Sequence, residues 1–227
     1  MHHEKARVVF WDFDGTLARR DGLWSATLES AARIVAPELG VTAADLRPEL
    51  TVGFPWHTPD LVVPPRSADE WWNAQRPLFL RAYARAGVRT KTAELAVAEI
   101  PREYYRPAAW ALAHDAIPAL KITATAGYRN AILSNHAPEL PTLVEQLGLG
   151  PFIDGTITSA AVGAEKPNPR IFAYALELMN AGTDVWMIGD NPIADIAGAE
   201  AAGIQAILVT ENTTILQAAT HISEAAR

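Results

Sequence analysis

A chain of 227 residues, 49% of them hydrophobic, has enough apolar material for one large domain, or one domain carrying an insertion, and too much for a disordered protein. A formal net charge of −7 argues against a general nucleic-acid binder, and the absence of cysteine excludes disulfides, thiolate nucleophiles and cysteine-held zinc. No apolar run reaches the roughly 18 residues of a membrane span, and Met1-His2-His3-Glu4-Lys5 lacks the apolar stretch of a signal peptide, so the cytoplasm is the expected location, without a membrane partner.

The paired histidines at 2 and 3 are too few to argue metal binding. The first element is an apolar run, Val8-Val9-Phe10-Trp11, which predicts a buried strand over 7–12. It ends in Asp12-Phe13-Asp14-Gly15-Thr16-Leu17. Asp12 and Asp14 would share one face if the strand continued, and Gly15 lets the chain leave the sheet. Two carboxylates held about 4 Å apart repel by roughly 4 kcal/mol at an effective dielectric near 20, so a cation or a shared proton is expected beside them.

Residues 18–114 read differently. Periodic apolar residues predict helices over 23–37, 69–87 and 92–105, with a cap for a short helix at Thr42-Ala43-Ala44-Asp45. The stretch 53–66 is loop-like, with four prolines and with Phe54, Trp56 and His57. Nothing here alternates as a strand, so the segment is expected to be a helical insert. It holds 12 of the 19 Lys and Arg and 11 of the 26 Asp and Glu, whereas the remainder holds 7 basic and 15 acidic residues. The near-neutral, arginine-rich insert is one candidate source of positive charge for an acidic site that handles an anion.

From residue 115 onward, strands alternate with helices. Strands are predicted over 131–134, 155–158, 185–188 and 204–209, and helices over 116–126, 139–147, 168–180 and 193–202. That alternation implies right-handed βαβ units and an α/β, Rossmann-like parallel sheet, and the short, continuously apolar strands agree. The expected organisation is a core of 1–17 and 115–227 with an inserted α-helical cap domain of 18–114.

Ligands of such a sheet bind beyond the carboxyl ends of its strands. Those ends carry Asp12 and Asp14, then Ser134 and Asn135, then Glu165-Lys166-Pro167, then Gly189-Asp190-Asn191 with Asp195 following. Singly, each is ordinary: a turn, a solvated lysine, a favourable charge in a first helical turn. Jointly, and in this order, they assemble a hydroxyl, an ammonium and several carboxylates in one crevice.

In these motifs the chain resembles the haloacid dehalogenase-like hydrolase (HAD) superfamily. Asp12 to Leu17 is similar to its first motif, Leu133-Ser134-Asn135 to its second, Lys166-Pro167 to its third, and Gly189-Asp190-Asn191-Pro192-Ile193-Ala194-Asp195 to its fourth. The resemblance covers about 7–17 and 115–210, and it implies a helical cap between the first two motifs. It implies Asp12 as a nucleophile that becomes an aspartyl-phosphate, and Asp14 as the acid and base. It implies Mg²⁺ held by Asp12, the backbone carbonyl of Asp14 and Asp190, with Asp195 behind the metal or as an outer metal residue, orienting Lys166 or a metal-bound water. Lys166 would neutralise Asp12 and the phosphoryl oxygens, while Ser134, the Asn135 amide and Thr16 would hydrogen-bond the phosphoryl group.

Asp14 favours phosphate esters over carbon–halogen chemistry, since an alkoxide needs a proton to leave and a halide does not. Phosphonate cleavage would need a cap lysine, and Lys91 is the single lysine there. The expected activity is a Mg²⁺-dependent phosphohydrolase on a small phosphate monoester. A sugar-phosphate mutase, a 2-haloacid dehalogenase and a non-catalytic binding protein are the alternatives. Substrate contacts are expected from Arg19, Arg20, Trp24, Phe54, Trp56 and His57, packing from Trp71, Trp72, Tyr104 and Tyr105, and a place at the crevice entrance for His136. The oligomeric state is expected to be monomer or homodimer.

Overall fold

In the computed structural model, which describes residues 5–226, five parallel strands form the central sheet; His2 and His3 lie outside the described residues. The strands are β1 (Ala6–Trp11), β4 (Arg129–Ser134), β5 (Gly155–Thr158), β6 (Ala181–Gly189) and β7 (Gln205–Leu208), in the order β5-β4-β1-β6-β7. The chain starts in the middle, builds out to one side, then crosses to the other. The topological switch therefore falls around β1, where a crevice opens at the carboxyl ends. Among the described residues no helix is long and apolar enough to cross a membrane.

Alternate side chains of the central strands enter two cores. Val9 and Trp11 of β1, Ile132 of β4 and Ile188 of β6 pack on one face with α5 (Ala116–Thr125) and α10 (Ile215–Ala225). Val8 and Phe10, Leu133 and Met187 pack on the other with α8 (Pro169–Leu178) and α9 (Gly198–Ala201). Burial on both faces is why these strands read as unbroken apolar runs.

Between β1 and β4 lie α1 (Leu23–Val35), the short α2 (Ala43–Leu46), α3 (Ala68–Arg85) and α4 (Thr90–Tyr104). Thr42 and Asp45 form a capping box on α2, and Gly87 stops the chain after α3 at φ 78°. The expectation of no strand in 18–114 is corrected. β2 (Ala18–Arg19) and β3 (Ala111–Leu112) pair antiparallel where the chain leaves and rejoins the sheet layer. A two-residue ladder is too short to show alternation. The aromatic residues of the helical segment, among them Trp24, Trp71, Trp72 and Phe79, are continuous with the core under the sheet.

Three other departures matter. The helix expected over 193–202 opens as a π-helix, Pro192–Ala197, before α9. Asn191 Oδ1 takes the amides of Ile193 and Ala194 at 3.0 and 2.9 Å, and the Ile196 amide reaches back to the Asn191 carbonyl at 3.3 Å. The short α7 (Ser159–Val162) and the terminal α10 are additions to the expected elements, and α6 (Leu140–Gln146) is the helix expected over 139–147 in a shorter form. β6 is longer than the expected 185–188.

Phe172 is fully buried in α8 and packs against the close approach of Gly198. Phe172→Ala is expected to lower the unfolding free energy by about 3–5 kcal/mol, read as a lower denaturant midpoint with an unchanged slope.

Candidate active site

The site is built from the ends of β1, β4 and β6. β1 delivers Asp12, whose amide bonds the Ile188 carbonyl of β6 at 2.9 Å, and the chain then turns sharply, with the Gly15 amide on the Ala18 carbonyl at 2.8 Å. Gly15 is at φ 92°, and a Cβ there would stand 2.3 Å from an Asp190 oxygen. At Gly189 a Cβ would stand 2.2 Å from Asp195. Both glycines leave the room in which the carboxylates converge. Asp12, Asp190 and Asp195 each offer an oxygen within 4.8 Å of the other two.

Lys166 is the counter-charge. It is almost fully buried, and its ammonium donates to Asp12 Oδ1 at 2.7 Å, to the Leu133 carbonyl at 2.8 Å and to Asp195 Oδ1 at 2.5 Å. Three N–H donors meet three acceptors. Burial alone would lower its proton affinity, but Asp12 and Asp195 reverse this and hold the ammonium charged. The Asn135 side chain fixes the backbone of Lys166 at both ends, accepting its amide at 2.7 Å and donating to its carbonyl at 3.0 Å. Asp195 Oδ2 accepts the Asn191 amide at 3.0 Å, so both of its oxygens are engaged.

The carboxylates differ in surroundings. Burial raises the proton affinity of Asp12 against the pull of the Lys166 ammonium, with Asp195 and Asp190 adding to the rise. Asp14 is half-buried, and its carboxyl is pushed up to about 7 by burial first and by Asp12 and Asp190 next. Asp190 is more open, and burial and Asp195 raise its proton affinity too.

A cavity of about 620 Å³ opens over these groups and is bordered by Asp12, Asp14, Ser134, Asn135, Lys166, Asp190 and Asp195. Trp24, Phe54, Trp56 and His57 border its other side. Arg19 and Arg20 do not. Arg19 is exposed on β2, and Arg20 is buried with its guanidinium on the Glu103 and Tyr104 carbonyls at 2.7 and 3.2 Å. Thr16 is buried off the cavity lining, its hydroxyl unpartnered. His136 is buried, away from the entrance where it was expected, between Tyr105 Oη at 2.7 Å and Tyr104 Oη at 3.4 Å; burial pushes its imidazole down to about 3.

Tyr104, expected to be packing, borders the cavity, as do Leu23, Leu50 and Ile193. Tyr104 is carried there by α4, whose last carbonyls are held by Arg20, and nothing in its local pattern separates it from core. Asn135, whose amide is expected from sequence at the phosphoryl group, borders the cavity, and its side chain is engaged by Lys166. That link joins residues 31 apart, beyond the reach of local periodicity.

A family model described as a haloacid dehalogenase-like hydrolase matches residues 6–203. The chain belongs to the haloacid dehalogenase-like hydrolases. Haloacid dehalogenase-like hydrolase domain-containing protein 3 of Homo sapiens is 33% identical over 142 residues, 62% of this chain and 55% of that protein, so the match spans about half of the human relative. Glyceraldehyde 3-phosphate phosphatase of Methanothermobacter thermautotrophicus is 41% identical over 91 residues, 39% of this chain and 40% of that one. Among solved structures, L-2-haloacid dehalogenase of Xanthobacter autotrophicus superposes with a TM-score of 0.62 at 22% identity, covering 91% of this chain and 80% of that one. At that identity the likeness establishes the fold, shared across HAD enzymes of different chemistry. The sheet and flanking helices here are the HAD fold, and the chain is a hydrolase of that family.

The raised proton affinity of Asp14 has a thermodynamic signature. Its folded value near 7 lies above the roughly 3.9 of an unfolded aspartate, so the folded state keeps a proton that the unfolded chain releases. Stability from this group is full below about pH 4 and is lost as pH rises through about 7. In metal-free protein, Asp14→Asn is expected to melt higher than the unsubstituted chain at pH 8, with a smaller gap at pH 5. An equal gap at both pH values, measured by thermal unfolding in chelator, would contradict the shift.

Proposed function

We propose that this chain is a Mg²⁺-dependent phosphohydrolase acting on a small phosphate monoester through an aspartyl-phosphate at Asp12, with residues 18–114 serving as a cap over a core of 1–17 and 115–227. The observation that carries the reading is a division of labour between two carboxylates in one cavity. Asp12 is clamped through one oxygen by Lys166, and Asp14 borders the same cavity with no cation paired to it among the described residues. A halide leaving group would give Asp14 nothing to do, whereas an alkoxide needs a proton. The phosphatase names of relatives, including that of the archaeal protein, support the same choice.

The steps follow from the residues. Lys166 holds Asp12 Oδ1, which leaves Oδ2 to attack phosphorus. A bond forms between Asp12 and phosphorus, the ester P–O bond breaks, and the Asp14 proton goes to the departing alkoxide. Asp14, now a carboxylate, takes a proton from water whose oxygen attacks phosphorus. The Asp12–phosphorus bond breaks, and inorganic phosphate and the original carboxylate are restored. Ser134, buried at the cavity wall, is placed to donate its hydroxyl to a phosphoryl oxygen, and the ammonium of Lys166 offsets charge on both sides of the transfer.

The donor set fits the metal. Asp12 and Asp190 present carboxylate oxygens, and hard oxygen donors completed by water and phosphate suit Mg²⁺. Asp12, Asp190 and the backbone carbonyl of Asp14 would hold it, while Asp195, engaged by Lys166 and Asn191, braces the site from behind. Bound Mg²⁺ supplies Lewis-acid stabilisation of charge on the phosphoryl oxygens.

The test is a Mg²⁺-dependent hydrolysis screen over phosphate esters. Asp12→Asn is expected to reduce kcat/KM by at least about 10³-fold. Equal hydrolysis by the two proteins would refute the nucleophile. Asp14→Asn is expected to lose about 10²–10⁴-fold on an alkyl phosphate and less on 4-nitrophenyl phosphate, whose leaving group needs no proton. Equal losses on both would remove Asp14 as the acid.

A further inference from the structure

The cavity has two unlike halves. All its carboxylates and its lysine sit at the sheet end. The opposite wall is aromatic: the Phe54 and Trp56 rings lie 4.5 Å apart with planes 6° from parallel, and Trp24 lies 4.4 Å from Tyr104 at 15° and 4.7 Å from Phe54. Leu50 and the largely exposed Ile193 extend this apolar surface.

Leu23 belongs to the same wall, and its backbone is strained to put it there. Its φ is 37°, directly after Gly22 at φ 69°. A non-glycine residue in the left-handed region persists only where its surroundings hold it. Here the strain is spent on presenting an aliphatic side chain to the cavity.

The wall offers almost no charge. Among the described residues no arginine borders the cavity, and the two basic side chains that do are Lys166 and His57. Lys166 is fully committed to Asp12, Asp195 and the Leu133 carbonyl. His57 accepts the Phe54 amide at Nδ1, at 3.1 Å. A carboxylate or a second phosphate on the leaving group would face aromatic rings, with no arginine and no free lysine among the described residues of the lining, above a floor of four aspartates. A flat, uncharged ring would instead lie offset on the half-buried Trp56, whose indole is backed by Phe54.

Resting on the phosphohydrolase reading, we propose that this site takes phosphate esters of uncharged alcohols that carry an aromatic ring, seated on Trp56, and rejects esters whose alcohol bears a carboxylate or a further phosphate. Leu23 and Tyr104 close the sides of that seat. The arginine-rich character of the insert does not reach the substrate.

The experiment compares kcat/KM with Mg²⁺ for benzyl phosphate, 2-phosphoglycolate and phosphoserine, all esters of alkyl alcohols, with acetyl phosphate as a ringless substrate. Benzyl phosphate is expected to exceed both carboxylate-bearing esters by at least about 10-fold, within the 10–200-fold that apolar pocket contacts give. Trp56→Ala is expected to lower the benzyl-to-acetyl ratio by about 10-fold, and Trp56→Phe to restore most of it. Trp56 is half-buried at the cavity edge, so its loss leaves the core packed, and a melting curve checks this. If acetyl phosphate is hydrolysed while the carboxylate-bearing esters match or exceed benzyl phosphate, or if Trp56→Ala leaves the ratio unmoved, this proposal falls alone. If neither the three esters nor the mixed anhydride acetyl phosphate is hydrolysed, the phosphohydrolase reading fails and takes the proposal with it.

Discussion

One buried ammonium holds the site together. Lys166 reaches Asp12, Asp195 and the Leu133 carbonyl at once, so it ties the ends of β1, β4 and the π-turn after β6 to one point. Burying a single charge without partners costs several kcal/mol, and burying two carboxylates beside it without the ammonium costs more. The arrangement is therefore all or nothing. Each charge is tolerable because the others are present.

That point must be reached from several directions, and the backbone is shaped for it. The Asn135 side chain grips the Lys166 peptide on both sides, and the Asn191 amide turns Asp195 inward. Gly15 and Gly189 remove the Cβ atoms that would collide with Asp190 and Asp195. The π-turn is part of the same solution. Widening the first turn after β6 lets Asn191 cap it while Asp195 faces the lysine. The parallel sheet sets where the carboxylates stand, and Trp24, Phe54, Trp56 and Tyr104 of the segment between β1 and β4 border the space beside them.

Much of this was legible in the chain, for a physical reason. Strands buried on both faces announce themselves as apolar runs, and the residues that follow such runs are those at the crevice. Asp12, Asp14, Ser134, Lys166, Asp190 and Asp195 could be placed together in that way. Arg19 and Arg20 could not be judged by proximity. Two residues of β2 turn the first outward, and the end of α4 captures the second. Tyr104 reaches the cavity through the packing of α1 against α4, a contact between segments far apart in sequence, and its helical spacing looks like any core position. His136 follows Asn135 directly yet is buried among Tyr104, Tyr105 and Trp110. The helix α10 was not read from the chain, although Ile215, Ala218, Ala219 and Ile222 recur at a helical spacing.

The central claim is that Asp12 carries the phosphoryl group between two half-reactions. Rapid acid quench during the first turnover of a phosphate ester with Mg²⁺, followed by peptide mass spectrometry, tests it most directly. The account predicts a phosphoryl group on Asp12 that forms as alcohol is released and decays as inorganic phosphate appears. A phosphoryl group on a different residue, or alcohol release with no phosphorylated peptide at any time, would contradict it.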